Sequence, residues 1–258
     1  MKIIAYTALL YGSDYLAYAI RSVIDYIDEY HVIYDASGTG SHGSKTDRVC
    51  PDKRQVLYDI AQRAAGDKLR WHEGTWPYEG AQRDAIYQYA PDADVILVLD
   101  ADEVWPECLA KLPLEMEPLH RNVRLPMVHF WRSFSRCVLH DPAYPVRVIC
   151  PKSADGEVGI DSARLPDRRK AIAHFGYAQR PEIVEFKQHT HGHRGQWRTD
   201  IDWFRERFMA NAQHDCHPVG SEYWNPEAVN PLDYMPSFMS EHPYFGLDVI
   251  GEVWEAVR

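Results

Sequence analysis

The chain has 258 residues and a formal charge of −10. That length suits one α/β domain, or one domain with an appendage. The negative charge excludes a broad electrostatic grip on nucleic acid or on an anionic membrane, leaving only a local basic run at residues 164–170. Five widely spaced cysteines with no C-x-x-C pair read as reduced thiols. No signal peptide is read before the first strand, and no apolar run reaches membrane-spanning length. A cytoplasmic protein is expected.

Residues 2–10 read as a central strand. A turn with helix-capping chemistry follows at 11–14, and then Leu16, Ala19, Ile20, Val23 and Ile27 recur at helical spacing. Residues 31–35 form a second strand that runs into the polar, glycine-rich stretch 35–43. This β-α-β order predicts a right-handed crossover and parallel strands. Asp35 and Ser37 then stand just past a strand end, where open α/β sheets bind ligands. There a carboxylate can accept from a ribose hydroxyl or a base N–H, or it can merely close an Asx-turn.

A helix is predicted over 54–65, a third strand over 68–73 and another helix over 79–90. Arg83 on that last helix can reach a diphosphate or the acidic cluster, or merely pair with Glu79 one turn away. Val95, Ile96, Leu97, Val98 and Leu99 form an unbroken apolar run after a Pro91-Asp92 turn, the pattern of a strand buried on both faces. The run leads directly into Asp100-Ala101-Asp102-Glu103. Three carboxylates this close need a cation or a proton between them. Hard oxygen ligands at a strand end suit Mg²⁺ or Mn²⁺ bridging to phosphates; the plain alternative is an acidic turn ahead of a helix.

Beyond this point the pattern predicts a short helix at 106–112, strands at 123–131 and 145–150, a loop at 155–161, and a strand at 171–177. Residues 181–187 start a helix, and His189, His191 and His193 fall in a turn. With His214, Cys216 and His217 they lack the spacing of structural zinc sites, so a surface or site-lining role is expected first. Trp203, Phe204, Phe208 and Met209 mark an amphipathic helix. The stretch 218–243 is too aromatic for a linker and is expected to wrap the domain or form a lid.

Four pieces in this order resemble the nucleotide-sugar glycosyltransferases of GT-A fold, the family 2-like group. They are the first β-α unit (3–27); Asp35-Ala36-Ser37, similar to D-x-S; Gly80 to Asp84 followed by 92–103, similar to G-x-x-x-R-N and D-x-D-E; and Arg147, Asp161, Ile172 to Tyr177 and Lys187, similar to an R … H-E … H-Y-x-Y … K series. Asp84 replaces the usual Asn, and Ile160-Asp161 stands where the H-E pair would be. The resemblance spans about 1–190. It implies a Rossmann-like, mostly parallel central sheet flanked by helices. Residues up to about 105 would hold the nucleotide and about 106–190 the acceptor. Residues 191–258 would form an irregular aromatic extension packed on the same domain.

The resemblance further implies transfer from a nucleotide-diphosphate sugar, with a UDP-sugar as expected donor, to a hydroxyl acceptor with inversion. Donor contacts would come from Thr7, Asp35, Ser37, Arg83, Asp100 and Ala101. A Mn²⁺ or Mg²⁺ ion would be held by Asp102, Asp100 and His174. Asp161 is the first candidate for the general base, followed by Glu157 and then Glu103. A saccharide or lipid-linked saccharide is the expected acceptor, ahead of a hydroxylated base in DNA. The alternatives are another Mg-dependent nucleotidyltransferase or phosphohydrolase, or a non-catalytic nucleotide-sugar-binding module. The first is disfavoured because no glycine-rich phosphate loop with a lysine follows the first strand.

Overall fold

The computed structural model describes residues 1–38, 48–115, 122–141, 145–152, 157–159, 170–190, 200–220 and 224–253. It is an α/β molecule whose main sheet is mostly parallel and flanked by helices. Strands β1 (Ile3–Leu9) and β2 (Glu29–Asp35) enclose helix α1 (Leu16–Val23). Helix α2 (Arg54–Ala65) leads to β3 (Leu69–Gly74), and α3 (Glu79–Asp84) and α4 (Ile86–Tyr89) lead to β4 (Val95–Val98). The helix expected over 79–90 is thus two helices meeting at Ala85.

After β4 the chain makes β5 (Glu103–Val104), α5 (Glu107–Ala110), α6 (Leu112–Glu115), β6 (Asn122–Arg124), β7 (Met127–Trp131) and β8 (Arg136–Val138). Then come β9 (Val146–Ile149), β10 (Glu157–Gly159), β11 (Ile172–Tyr177), helix α7 (Pro181–Thr190) and β12 (Glu227–Ala228). The main sheet runs β10-β6-β9-β4-β1-β2-β3, and a second sheet runs β12-β8-β7-β11-β5. β1, β2, β3 and β4 are mutually parallel, whereas β9 is antiparallel to β4 and β6.

Two departures from the sequence expectations matter for the site. The strand expected over 123–131 is cut at Leu125-Pro126 into β6 of one sheet and β7 of the other. Proline has no N–H for the ladder, so pairing fails there and the chain can change sheets. The loop expected over 155–161 contains β10, which pairs in parallel with β6. His189 lies in α7, not in a turn, while His191 and His193 fall outside the described residues. The segment around Phe208 is a π-helical turn, Phe204–Met209, in place of a regular amphipathic helix.

α1 turns Leu16, Ala19, Ile20 and Val23 onto the main sheet, where they join Leu57 and Ala61 of α2 over Val95 and Leu97. Ile86 covers the opposite face with Ile4 and Ile96. This two-sided cover explains why residues 95–99 have no polar alternation. A second core is aromatic and belongs to the second sheet. Trp203, Phe208, Trp224, Met239 and Tyr244 from the C-terminal part pack there with Phe130, Trp131 and Phe175. A ladder of stacked rings runs His242, Tyr15, Phe175, Phe130, with centroids 4.5 to 4.7 Å apart. Each such contact is worth about 0.5–1.5 kcal/mol beyond its burial.

His242 closes this ladder as a neutral ring. Its Nε2 donates to the Asp14 carbonyl (2.9 Å), and its Nδ1 accepts from the Tyr244 N–H (3.0 Å). Burial lowers its pKa to about 4, against the opposing pull of the Asp14 carbonyl. The unfolded chain takes up this proton near pH 6.5 and the folded chain only near 4, so stability falls as pH drops through that window. The effect is on the order of 3 kcal/mol. His242→Gln, which keeps a donor and an acceptor without the titration, is expected to flatten the fall of Tm between about pH 6.5 and 4. An unchanged slope would place the acid sensitivity elsewhere, for instance at His31, which burial also lowers to about 4.

Candidate active site

The strand order turns at β1, which has β2 and β3 on one side and β4 on the other. Open α/β sheets bind ligands at the carboxyl ends beside such a turn. The segments leaving β1 and β4 touch there. Gly12 has φ +134°, and a Cβ on it would lie 2.4 Å from the Ala101 Cβ, so only glycine permits this approach. Asp52 holds the turn by accepting from the N–H groups of Gly12 (2.7 Å) and Ser13 (2.9 Å). Arg180 ties it to the end of β11 by donating to Asp52 (2.7 Å) and Asp14 (2.9 Å).

Asp100, Ala101 and Asp102 form the bridge by which the chain leaves β4 of the main sheet and enters β5 of the second. Asp100 accepts from Arg83 (2.7 Å) through one oxygen and from Arg147 (2.9 Å) through the other. Burial opposes its ionisation, but the two guanidinia outweigh that and hold its carboxyl well below the usual range. Arg83 also pairs with Glu79 (2.7 Å), so its contacts with the acidic cluster and with Glu79 are present together. Arg147 bonds Glu103 as well, and Glu103 is completely buried. Burial pushes Glu103 up to about 8, more than Arg147 can offset.

Asp102 is set by strand register. β11 runs antiparallel to β5 with His174 opposite Glu103, and Phe175 donates to the Asp102 carbonyl (2.8 Å). Asp102 Oδ2 accepts from Lys187 of α7 (3.1 Å) and from Gln179 (2.7 Å). Its Oδ1 faces His174 Nε2 at 3.6 Å. Burial works against the Asp102 anion, but the Lys187 ammonium outweighs it and its pKa is lowered. Burial lowers His174 to about 3 despite the Asp102 charge, so that ring is neutral.

Among the described residues, no group of three or more His, Cys, Asp or Glu side chains is arranged to hold a metal ion. The expected trio of Asp100, Asp102 and His174 is therefore not assembled as a cluster, because both Asp100 oxygens are engaged by arginines. The Asp102–His174 pair does fit an ion that takes its remaining ligands from phosphates. Gly176 lets the His174 ring and Lys187 pack against its backbone: a Cβ there would lie 2.6 Å from His174 Nε2 and 3.0 Å from Lys187 Nζ.

The donor-side candidates divide. Asp35 at the end of β2 is buried; one oxygen accepts from the Ser37 N–H (2.9 Å), and Oδ2 has no hydrogen-bond partner among the described residues. A buried carboxylate oxygen left unpaired is costly, and a ligand N–H or O–H would satisfy it. Thr7 instead points into the protein, its hydroxyl bonded to Tyr30 (2.5 Å). Glu157 lies on β10, and Asp161 lies outside the described residues. Cys216 is buried with its Sγ 3.0 Å from the Ala212 carbonyl, and no zinc cluster forms around it among the described residues.

Sequence reasoning missed Gln179, Gly176 and His129. Gln179, just past β11, reaches Asp102, and the packing of β11 sets Gly176 and His129 against His174; no local pattern announces this.

No protein-family model and no curated protein matches the sequence. Among solved structures, galactosyltransferase LgtC in complex with donor and acceptor sugar analogues overlays on 48% of this chain, with 17% identity and a TM-score of 0.34. An active-site mutant of LgtC overlays with 17% identity and a TM-score of 0.33. Each match spans 46% of the LgtC chain, about half its length. Overlays this loose establish no kinship. No helix among the described residues is long and apolar enough to cross a membrane.

Proposed function

We propose that the protein is a glycosyltransferase that takes a sugar from a nucleotide-diphosphate sugar, with UDP-sugars the first donors to test, and passes it to a hydroxyl acceptor. One observation carries this reading. Two acceptor positions lie along one carboxyl edge of the sheet: Asp35 Oδ2 after β2, unsatisfied among the described residues, and Asp102 Oδ1 after β4, which faces His174 Nε2 at 3.6 Å. With β1 between them, they sit two strand spacings apart, roughly 10 Å. That matches the separation of a nucleoside from its diphosphate.

In this reading Asp35 accepts from the base or ribose, and residues up to about 105 hold the nucleotide. Asp102 Oδ1 and His174 Nε2 would hold a divalent ion, which supplies neutralisation of the departing diphosphate. Lys187 and Gln179 fix the Asp102 carboxylate, and Arg83 and Arg147 fix the bridge that carries it. The acceptor half would be about 106–190 together with the C-terminal extension. For the base that deprotonates the acceptor, Asp161 stands first and Glu157 second. Glu103, enclosed with Arg147, serves the charge network instead. A saccharide acceptor fits the net negative charge better than DNA does, and inversion goes with a single displacement assisted by one base.

The test is a thermal-shift screen of nucleotide sugars with Mn²⁺, followed by a search for released nucleoside diphosphate. A donor at a hundred times its Kd stabilises by about 2.7 kcal/mol and raises Tm by several degrees. If no nucleotide sugar moves Tm and none is cleaved, the proposal fails. Asp35→Ala is expected to weaken UDP binding by about 10–100-fold, the worth of a bond to a charged acceptor. An unchanged affinity in a UDP titration would remove Asp35 from the donor site.

A further inference from the structure

We infer that Asp141 and His129 are positioning residues that fix the tautomer of His174, leaving its Nε2 lone pair aimed at Asp102. β7 and β11 run parallel with His129 opposite His174, so the rings meet edge to face. Their Nδ1 atoms are 2.7 Å apart, a distance that requires one proton between them. The question is which ring supplies it.

The answer lies on the far side of His129. Its Nε2 is 3.0 Å from Asp141 Oδ2, bent away from ideal hydrogen-bond geometry. That same oxygen accepts from the Trp224 indole (3.1 Å), and the indole packs on the His129 ring (4.8 Å). A bare Nε2 here would set a lone pair 3.0 Å from a buried carboxylate oxygen, a closer clash than the 3.6 Å between His174 Nε2 and Asp102 Oδ1. A single ring proton on His129 therefore belongs on Nε2, which leaves Nδ1 as an acceptor. His174 must then donate from its Nδ1, and its Nε2 is bare. A doubly protonated His129 would instead place the His174 proton on Nε2, the outcome that overturns the inference.

The consequence appears at the candidate site. A bare Nε2 and an anionic Asp102 Oδ1 face each other at 3.6 Å, two acceptors with no proton between them. Gly176 admits the His174 ring and Lys187 Nζ against its backbone, and Lys187 is already bonded to Asp102 Oδ2. Such a pair is preorganised for a cation. Outer partners of this kind orient a ligating histidine and raise its affinity. The role of the pair at an ion rests on the proposed function; the tautomer assignment does not.

The tautomers are read directly by long-range ¹H–¹⁵N correlation on the full ¹⁵N-labelled chain at about pH 8, where ordinary imidazoles are neutral. The two rings are assigned by loss of their signals in His129→Gln and His174→Gln. The expected spectrum shows His129 protonated at Nε2 and His174 at Nδ1; His174 protonated at Nε2 overturns the inference. In a second arm Mn²⁺ alone is titrated. Asp141→Leu is expected to weaken its binding about 10–100-fold and to give His174 a mixed-tautomer signal. Wild-type affinity in that variant overturns the positioning role. Absence of Mn²⁺ binding in the unmodified protein sinks the ion in the proposed function instead, and the spectrum still decides the tautomer.

Discussion

Asp102→Ala is expected to abolish sugar transfer and to cost about 3–5 kcal/mol of stability, because it strands a buried cation. Lys187 Nζ loses its carboxylate, and the Gln179 amide loses the nearer of its two acceptors, keeping only the Gly176 carbonyl at 3.4 Å. Both side chains are buried, so water cannot replace what is removed. Adding Lys187→Met should recover much of the stability, since an apolar side chain of similar length leaves no charge to solvate. It should recover none of the activity. Urea unfolding and donor cleavage on the four members of this cycle separate the two roles. Turnover surviving in Asp102→Ala would remove this residue from the chemistry. A double variant no more stable than the single one would show that the lysine charge is not what was stranded.

The parts legible in the sequence were those written in local patterns. Residues 95–98 are a strand because β-branched residues without polar alternation fit a sheet covered on both faces, and the helix over Arg54–Ala65 falls on its predicted bounds. The acidic bridge follows from the same pattern, since Asp100 and Asp102 come directly after that strand. What escaped was long-range. Nothing near Pro126 says that the chain changes sheets there. Nothing near Gly159 says that Glu157–Gly159 finds a parallel neighbour in β6. Arg147 and Lys187 could be picked out only by resemblance, and their partners only by geometry. His129, Gln179 and Gly176 carried no signal at all, because strand register between distant segments is fixed by packing and turn geometry.

Arg147→Leu is the second large effect, and it is expected to grow with pH. Arg147 is one guanidinium shared by two carboxylates: Asp100 keeps Arg83 when it is removed, and Glu103 loses its ion-pair partner. In the wild type Glu103 already titrates at about 8, well above its unfolded value near 4.3, because burial outweighs Arg147. A carboxyl raised on folding contributes stability that is fully present below the unfolded value and is lost as pH rises through the folded one. Without Arg147 the folded value climbs further, so the decline continues where the wild type levels off. Near pH 6 Glu103 is neutral in both proteins, and the cost is set by packing and by the lost Asp100 contact. Near pH 9 the variant must either ionise a buried, unpaired carboxyl or hold a proton that the unfolded chain releases, and the deficit should approach about 3–5 kcal/mol. Glu103→Gln placed on Arg147→Leu removes the titrating group and should make the deficit independent of pH. Unfolding curves at both pH values decide the matter: a deficit equal at pH 6 and 9 would mean that Glu103 stays ionised across the range and that Arg147 holds two anions, not one.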